Sequence, residues 1–362
     1  MRNYLLILLS VIISSCINND KKEDSKPQIN TTQINTEIKA KIDFLNKEKS
    51  AIAILDETYE PFFSKLQIRE ISAFTNEKVP TNDIQKAREF ARSKFSSAVT
   101  NFSEAEKKCI TFVLQKVTTI LEKEGITLMT NHPWNFIKIE DWLCGGFAHT
   151  RGNYIILSQK HLDHLNKGWS DNMTPEEELT LVKNLGSLLV HEQMHSLQRS
   201  YPKTFENLYA NNWNFIKATV ADEDLITINQ VSNPDAPIAN WLIQNNDELY
   251  WVRTLLKEEN EIPIMGRDFI DNVFTIENSN GIYSVKKDSN EILILKSISD
   301  IDFYPKSFPT NRGLDHPNEI SAYMFSMYFE ALVSESIPFK NVEVDASKNA
   351  KSFVNWIDKE MN

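Results

Sequence analysis

The chain has 362 residues, of which 41% are hydrophobic and 25% are charged. These fractions are close to those of globular proteins, and they exclude a fully disordered chain, a collagen-like fibre and a polytopic membrane protein. The formal charge of −11, without a dense basic block, argues against nucleic acid as a main partner. With 9 glycines and neither a GxxxxGK[ST] nor a GxGxxG motif, the chain also lacks the common phosphate-binding loops.

Residues 1–15 are typical of a signal peptide. Arg2 supplies a positive charge, and the apolar run after it is too short to span a bilayer as a helix. The run ends at Ile13–Cys16 in the sequence ISSC, which resembles the lipobox of bacterial lipoproteins. The resemblance implies cleavage before Cys16 and a lipid on its sulfur. We therefore expect an extracytoplasmic protein that is anchored to a bacterial membrane, most simply the outer membrane on its periplasmic or cell-surface face. An ordinary secretory signal with an incidental cysteine is the alternative.

Residues 16–34 are polar and predict a flexible tether. The folded part should begin near residue 35, with a helical N-terminal region over 35–130. Apolar spacing predicts helices over 38–55, 81–100 and 102–123, the last opened by a capping box of Ser103 and Glu106. Of the two remaining cysteines, Cys109 and Cys144, the sequence allows either a disulfide or two buried thiols.

A second region, 131–362, begins with strand patterns. Residues 147–158 predict a β-hairpin, in which Tyr154–Ser158 is the stronger strand. A short helix over 160–165 follows. Thr174 and Glu177 then form a capping box for a long helix that should end near Arg199. The many apolar residues of this helix predict that it is central and buried.

The rest of the chain predicts helices, a hairpin and a loop. Residues 205–256 are expected to be helical with a break at 233–237, and a hairpin is expected over 273–285 around Asn280-Gly281. After the hairpin we expect a strand over 292–295, a loop over 307–317 and a helix over 319–332. The predicted fold class is α+β, mainly helical, with a small antiparallel or mixed sheet beside the central helix.

The central helix carries the motif that predicts chemistry, His191-Glu192-Gln193-Met194-His195. Positions i and i+4 of a helix lie on one face, so the two imidazoles can bind one tetrahedral metal ion. Glu192 is placed to reach a water on that metal rather than the metal itself. Zinc lowers the pKa of such a water, and a nearby carboxylate can then take its proton.

The sequence around this motif resembles the active-site helix of the zincin metallopeptidases. The resemblance implies a zincin-like catalytic core within 131–362, one Zn²⁺ ion and a peptide or protein substrate. It also implies that an upstream strand lines the cleft and pairs with extended substrate, and Tyr154–Ser158 is the candidate. The metzincin extension fails because Gln198 and Tyr201 stand where that clan has glycine and histidine.

The gluzincin clan supplies its third ligand as a glutamate on a later helix. Asn318-Glu319 resembles that helix start, so Glu319 is the predicted third ligand. It follows His195 by 124 residues, which requires an insertion over about 200–315. Glu248 and Glu206 are the alternatives. Tyr323, one turn after Glu319, would share its face and could stabilise an oxyanion or orient a ligand.

These observations predict a zinc metallopeptidase in which His191, His195 and Glu319 bind the metal and Glu192 is the general base. The alternative is a surface-binding lipoprotein whose zincin-like domain has lost catalysis.

Overall fold

The computed structural model describes residues 40–165, 169–257 and 260–362. The predicted signal peptide, the tether and Cys16 lie outside these residues. From residue 40 onwards the described residues belong to one compact unit. They are 47% helical and 19% strand, so the mainly helical α+β class is confirmed. No helix of the described residues combines the length and the apolar character that crossing a membrane requires.

The strands of the described residues form two sheets. They are β1 (Ile42–Phe44), β2 (Val99–Thr100), β3 (Trp134–Ile139), β4 (His149–Arg151), β5 (Tyr154–Ser158), β6 (Phe215–Lys217), β7 (Trp241–Asn245), β8 (Glu248–Leu256), β9 (Phe269–Ser279), β10 (Ile282–Val285) and β11 (Leu295–Ser297).

The α-helices of the described residues range from four residues to 26. They are α1 (Lys47–Ala53), α2 (Ile68–Thr75), α3 (Ile84–Ser97), α4 (Glu104–Lys123), α5 (Thr127–Asn131), α6 (Gln159–Leu165), α7 (Pro175–Ser200), α8 (Pro202–Asn207), α9 (Asp224–Asn229), α10 (Phe303–Lys306), α11 (Pro317–Val333) and α12 (Val344–Glu360).

The first sheet is mixed and lies beside α7. Its strand order is β1-β3-β5-β4, with β2 pairing along the same edge of β3 as β1. Strands β1, β3 and β5 are parallel, and β4 returns antiparallel to β5. The predicted hairpin over 147–158 is therefore confirmed. The prediction that Tyr154–Ser158 lines the cleft as an edge strand is wrong, because β5 lies inside the sheet and β4 forms its edge.

Helices cover both faces of this sheet, because its buried side chains alternate. Phe136, Ile155 and Leu157 join the core that contains the apolar residues of α4, α7 and α11. Ile137 and Ile156 point to the other side and pack with α2 and α3. This alternation is what a two-residue side-chain period produces in a sheet that is buried on both faces.

Helices α7 and α11 pack closely, and a glycine allows it. A Cβ atom on Gly186 of α7 would lie 2.7 Å from the ring of Phe329 on α11. The two helices also share a hydrogen bond, which the Ser326 hydroxyl donates to the backbone oxygen of Ser187 at 2.9 Å. The contact joins the C-terminal half of α11 to the middle of α7, whereas the first turn of α11 lies beside the C-terminal half of α7, where Gln198 donates to the backbone oxygen of Asn318.

The second sheet is antiparallel, with the order β10-β9-β8-β7-β6 and β11 beside β9. The hairpin around Asn280-Gly281 is confirmed. The helical prediction over 205–256, with its break at 233–237, is wrong for most of the segment. Only α8, a π-helical turn over Leu208–Asn212 and α9 are helical there. Strands β7 and β8 turn at Asn246, whose φ of 52° is left-handed. An aspartate after an asparagine at that point favours a hairpin over a helix.

In the N-terminal region, α3 and α4 confirm the helices predicted over 81–100 and 102–123, whereas α2 and α5 have no counterpart in the sequence prediction. The capping boxes at Ser103 and Thr174 are both present. The helix predicted over 38–55 is instead strand β1 followed by the shorter helix α1, since Asn46 caps α1. Cys109 and Cys144 form no disulfide and are both buried thiols.

Candidate metal centre

Three side chains from two helices converge on one point. His191 and His195 lie one turn apart on α7, and Glu319 lies in the first turn of α11. Their donor atoms all lie within 4.8 Å of one another. The Nε2 atoms of the two imidazoles are 3.2 Å apart. Each faces its own carboxylate oxygen of Glu319, His191 at 3.5 Å and His195 at 3.6 Å.

These separations suit a tetrahedral zinc ion. Donor atoms at about 2.0–2.1 Å from zinc, at tetrahedral angles, lie roughly 3.3 Å from each other. The two nitrogens are 3.2 Å apart, and they lie 3.5 and 3.6 Å from different carboxylate oxygens of Glu319. Two nitrogens and a carboxylate oxygen are also donors that zinc accepts, and three protein ligands leave a fourth position open. The residues present therefore fit the predicted metal.

Gln198 orients His195, one of the predicted ligands. Its amide nitrogen donates to the backbone oxygen of Asn318 and to the Ser321 hydroxyl, both at 2.9 Å. Its amide oxygen is left to accept from Nδ1 of His195 at 2.9 Å. With the proton on Nδ1, the lone pair of His195 lies on Nε2, the atom that faces His191 and Glu319. This is the support that metal-binding histidines usually have.

Asn233, in the loop between α9 and β7, supports Glu319, the predicted third ligand. Its side-chain nitrogen donates to Glu319 at 2.9 Å and lies 3.4 Å from a carboxylate oxygen of Asp315. Its side-chain oxygen accepts from the backbone N–H of Asp235 at 2.9 Å. One amide thus links the carboxylates of Glu319 and Asp315 to the backbone of Asp235.

Burial and the crowding of acidic groups set the protonation of the centre. Burial lowers the pKa of His195 to about 4, which keeps this imidazole neutral. Burial alone would raise the pKa of Glu319, but the imidazoles of His195 and His191 outweigh it and lower that pKa to about 2. Burial would likewise lower the pKa of His191, but Glu319 and Glu192 outweigh it and raise that pKa. A divalent cation between the rings would therefore compete with a proton for Nε2 of His191.

Glu192 is buried and held by the edge strand β4. The Thr150 hydroxyl lies 2.9 Å from Oε2 of Glu192 and 3.0 Å from its backbone oxygen. Burial, and next the charge of Asp235, raise the pKa of Glu192 to about 8. The hydroxyl fixes the orientation of this carboxylate beside the two imidazoles.

The centre opens into a cleft of about 840 Å³. His191, Glu192 and Glu319 line it, together with Phe147 and Ala148, which precede β4. Tyr323 lies on the same face of α11 as Glu319, as predicted, and its ring packs against that of His191 with centroids 4.6 Å apart. Burial raises the pKa of Tyr323, so its hydroxyl stays protonated and can donate a hydrogen bond.

No protein-family model, curated protein or solved structure matches this chain. The candidate centre is therefore identified by its own residues and their geometry.

The alternative third ligands lie elsewhere. Glu248 is exposed on β8, rather than on the predicted helix, and accepts a hydrogen bond from the Tyr250 hydroxyl. Glu206 is half-buried on α8 and pairs with Lys217. The structure brings together all four side chains predicted for the site: His191, Glu192, His195 and Glu319.

Sequence reasoning missed the supporting residues Gln198, Asn233 and Thr150. Gln198 had a usable signal, because it lies three residues after His195 and so on the same face of α7. Asn233 and Thr150 had none, since tertiary folding alone brings them to the centre.

Proposed function

We propose that this protein is a zinc-dependent hydrolase that cleaves peptide bonds. The observation that carries the proposal is the convergence of Glu319 on His191 and His195 from 124 residues farther along the chain. A pair of histidines on one helix is common by chance. A carboxylate that approaches both histidines from a distant helix, at separations that suit zinc, is much less common by chance.

The proposal assigns the zinc ligands as Nε2 of His191, Nε2 of His195 and the carboxylate of Glu319. A zinc ion held there would polarise a substrate carbonyl and lower the pKa of a water molecule. Glu192 takes a proton from the attacking water and passes it to the leaving amine. Thr150 keeps the Glu192 carboxylate oriented between these two transfers. The Tyr323 hydroxyl, beside His191, is the donor proposed for the developing oxyanion.

The segment that leads into β4 supports a peptide as the substrate. Strand β4 itself is buried and the backbone N–H of Thr150 donates to Asp235, so an extended peptide would lie along the residues that precede β4. Phe147 and Ala148, which lead into β4, line the cleft. An extended chain along them would place a backbone carbonyl beside the metal centre. We therefore assign this segment the role that the zincin resemblance gave to Tyr154–Ser158, and we propose a zincin-like core of gluzincin type.

The place of action follows from the sequence alone. The lipobox-like residues Ile13–Cys16 and the polar tether support a protein anchored by lipid to the extracytoplasmic side of a bacterial membrane.

Metal content and hydrolysis together test the proposal. We expect one zinc per chain and turnover of a mixed fluorogenic peptide library. The Glu192→Gln variant should keep its zinc and lose hydrolysis by about a hundredfold or more. The Glu319→Ala variant should lose zinc, whereas the matched control Glu248→Ala should keep both zinc and activity. Full zinc without hydrolysis of any peptide would favour the surface-binding lipoprotein, and absence of zinc binding would overturn both readings.

A further inference from the structure

A second cavity, of about 430 Å³, lies beside the metal cleft. We call it the acidic pocket. The two spaces share six wall residues: Phe147, Ala148, Asn233, Asp235, Asp315 and Tyr323. A substrate held against the metal centre can therefore extend a side chain into the acidic pocket.

One part of the pocket wall is apolar. It is formed by Phe74, Phe147, Val231, Met265 and Phe269. Such a wall can pack along the hydrocarbon stem of a long side chain.

The polar part of the wall consists mainly of groups that accept hydrogen bonds. Three carboxylates, Asp235, Asp271 and Asp315, line the pocket. Among the described residues that line it, none is a lysine or an arginine. A ligand that brings hydrogen-bond donors and a positive charge is complementary to this wall.

His149 adds an independent observation. It lines the pocket and is only 2% exposed. Its Nδ1 lies 3.0 Å from the backbone oxygen of Phe147, to which it donates, so Nε2 carries the lone pair. In the described part of the chain this buried Nε2 has no hydrogen-bond partner. A buried acceptor without a partner is costly, and a donor on a ligand would satisfy it.

The cations nearest to the pocket are already engaged. Arg199 pairs with Glu60 and donates to the backbone oxygens of Pro234 and Asp235. Arg253 donates to Gln230 and stacks on Trp251. Arg312 lines the metal cleft rather than the pocket. Arg199 acts electrostatically on Asp235 and Arg253 acts on Asp315, but no lysine or arginine of the described residues forms an ion pair with Asp235, Asp271 or Asp315.

We propose, on the basis of the proposed hydrolase function, that the acidic pocket binds the cationic side chain of a lysine or arginine beside the scissile bond. The stem packs on the apolar wall while the ammonium or guanidinium donates to the carboxylates and to His149. Acidic side chains are repelled from the same place.

Binding to the zinc-loaded Glu192→Gln protein tests the proposal without turnover. Calorimetry would compare acetylated, amidated peptides that carry lysine, arginine, norleucine or glutamate at one central position. Lysine and arginine should bind about tenfold tighter than norleucine, which shares the stem but lacks the charge. Asp315→Asn and Asp271→Asn, each added to the same protein, should reduce this preference severalfold. The exposed Asp222→Asn control should leave it unchanged.

Further outcomes separate the possible errors. Equal binding of lysine and norleucine would overturn the pocket, even if the wild-type protein hydrolyses peptides. A lysine preference without hydrolysis by the wild type would leave the pocket standing and remove the proposed function. A norleucine peptide with a free N-terminus serves as a further probe. If it binds as tightly as the acetylated lysine peptide, the pocket binds an α-amine, and the side-chain assignment is overturned. Circular dichroism of each variant would verify its fold, and Asp271, which is exposed, is the structurally mildest of the substitutions.

Discussion

Gln198 holds Nδ1 of His195 at 2.9 Å from three residues farther along the same helix. The other end of the Gln198 amide is fixed to α11 by Asn318 and Ser321. A single side chain thus sets the tautomer of one proposed ligand and ties it to the helix that supplies another. This link explains how two helices can hold the centre as one rigid unit.

Replacing Gln198 by alanine should weaken zinc binding. We expect a loss of about tenfold to a hundredfold in affinity, because the partner that orients a metal-binding histidine typically contributes that much. Competition with a chromophoric chelator measures the change. Gln244→Ala, on β7, removes an exposed glutamine and should leave the affinity unchanged. Equal affinities for the two variants would contradict the role of Gln198.

A second prediction concerns Gly313, in the loop before α11. Its φ is +64°, and an added Cβ would lie 2.6 Å from the Tyr323 ring and 2.7 Å from Cβ of Glu319. Gly313→Ala should displace both side chains and reduce zinc affinity by about tenfold or more. Gly281 also has a left-handed φ, of +87°, but nothing lies within 4 Å of the added atom.

Gly281→Ala is therefore the matched control for Gly313→Ala. Both variants should lose about 1 kcal/mol of stability from backbone strain. Only Gly313→Ala should lose zinc, as chelator competition at a temperature below both melting transitions would measure. If both variants bound zinc like the wild type, the close approach of Gly313 would be unimportant for the centre.

Local signals explain which parts of this structure could be predicted. The start of α7 follows from Thr174, Pro175 and Glu177, which act within one turn, and the spacing of His191 and His195 follows from the helix period. Each of these features involves residues that are close in the sequence. A helix and its metal-binding face can therefore be derived without knowing the rest of the fold.

The second sheet shows where this reasoning fails. The segment 241–256 is rich in large apolar residues, and such short runs fit a helix or a buried strand almost equally well. Pairing with β9, which follows later in the chain, decides in favour of strands. Asn233 is a similar case, since its contact with Glu319 spans 86 residues and depends on the loop before β7.

A third prediction concerns the proposed lipid anchor. Cys16→Ser removes the thiol to which the lipid would be attached, so the variant expressed in a bacterium should leave the membrane fraction. Ultracentrifugation and incorporation of labelled palmitate measure the change. Ser25→Ala, in the proposed tether, should remain in the membrane fraction and keep the label. Retention of the Cys16→Ser protein by membranes, with label still incorporated, would show that Cys16 is not the lipidated residue.

The last prediction concerns Glu70, a fully buried carboxyl of α2 that lies outside the metal centre. It accepts hydrogen bonds from the backbone N–H groups of Gln67 and Ser232, both at 2.6 Å. Burial nevertheless dominates and raises the pKa of Glu70 to about 7. The folded protein therefore holds this proton more tightly than the unfolded chain does.

The raised pKa makes the contribution of Glu70 to stability depend on pH. The preference of the folded protein for protonated Glu70 stabilises it by about 3 kcal/mol. This stabilisation is fully present below the pKa that Glu70 has in the unfolded chain, and it is lost as the pH rises through 7. Glu70→Gln cannot release a proton, so its free energy of unfolding should fall less steeply than that of the wild type between pH 5 and pH 8. Urea unfolding followed by tryptophan fluorescence at several pH values measures both slopes.

The control is Glu77→Gln, which replaces an exposed carboxyl just after α2 and should follow the wild type. Parallel curves for wild type and Glu70→Gln would mean that Glu70 titrates at its usual pKa in the folded protein.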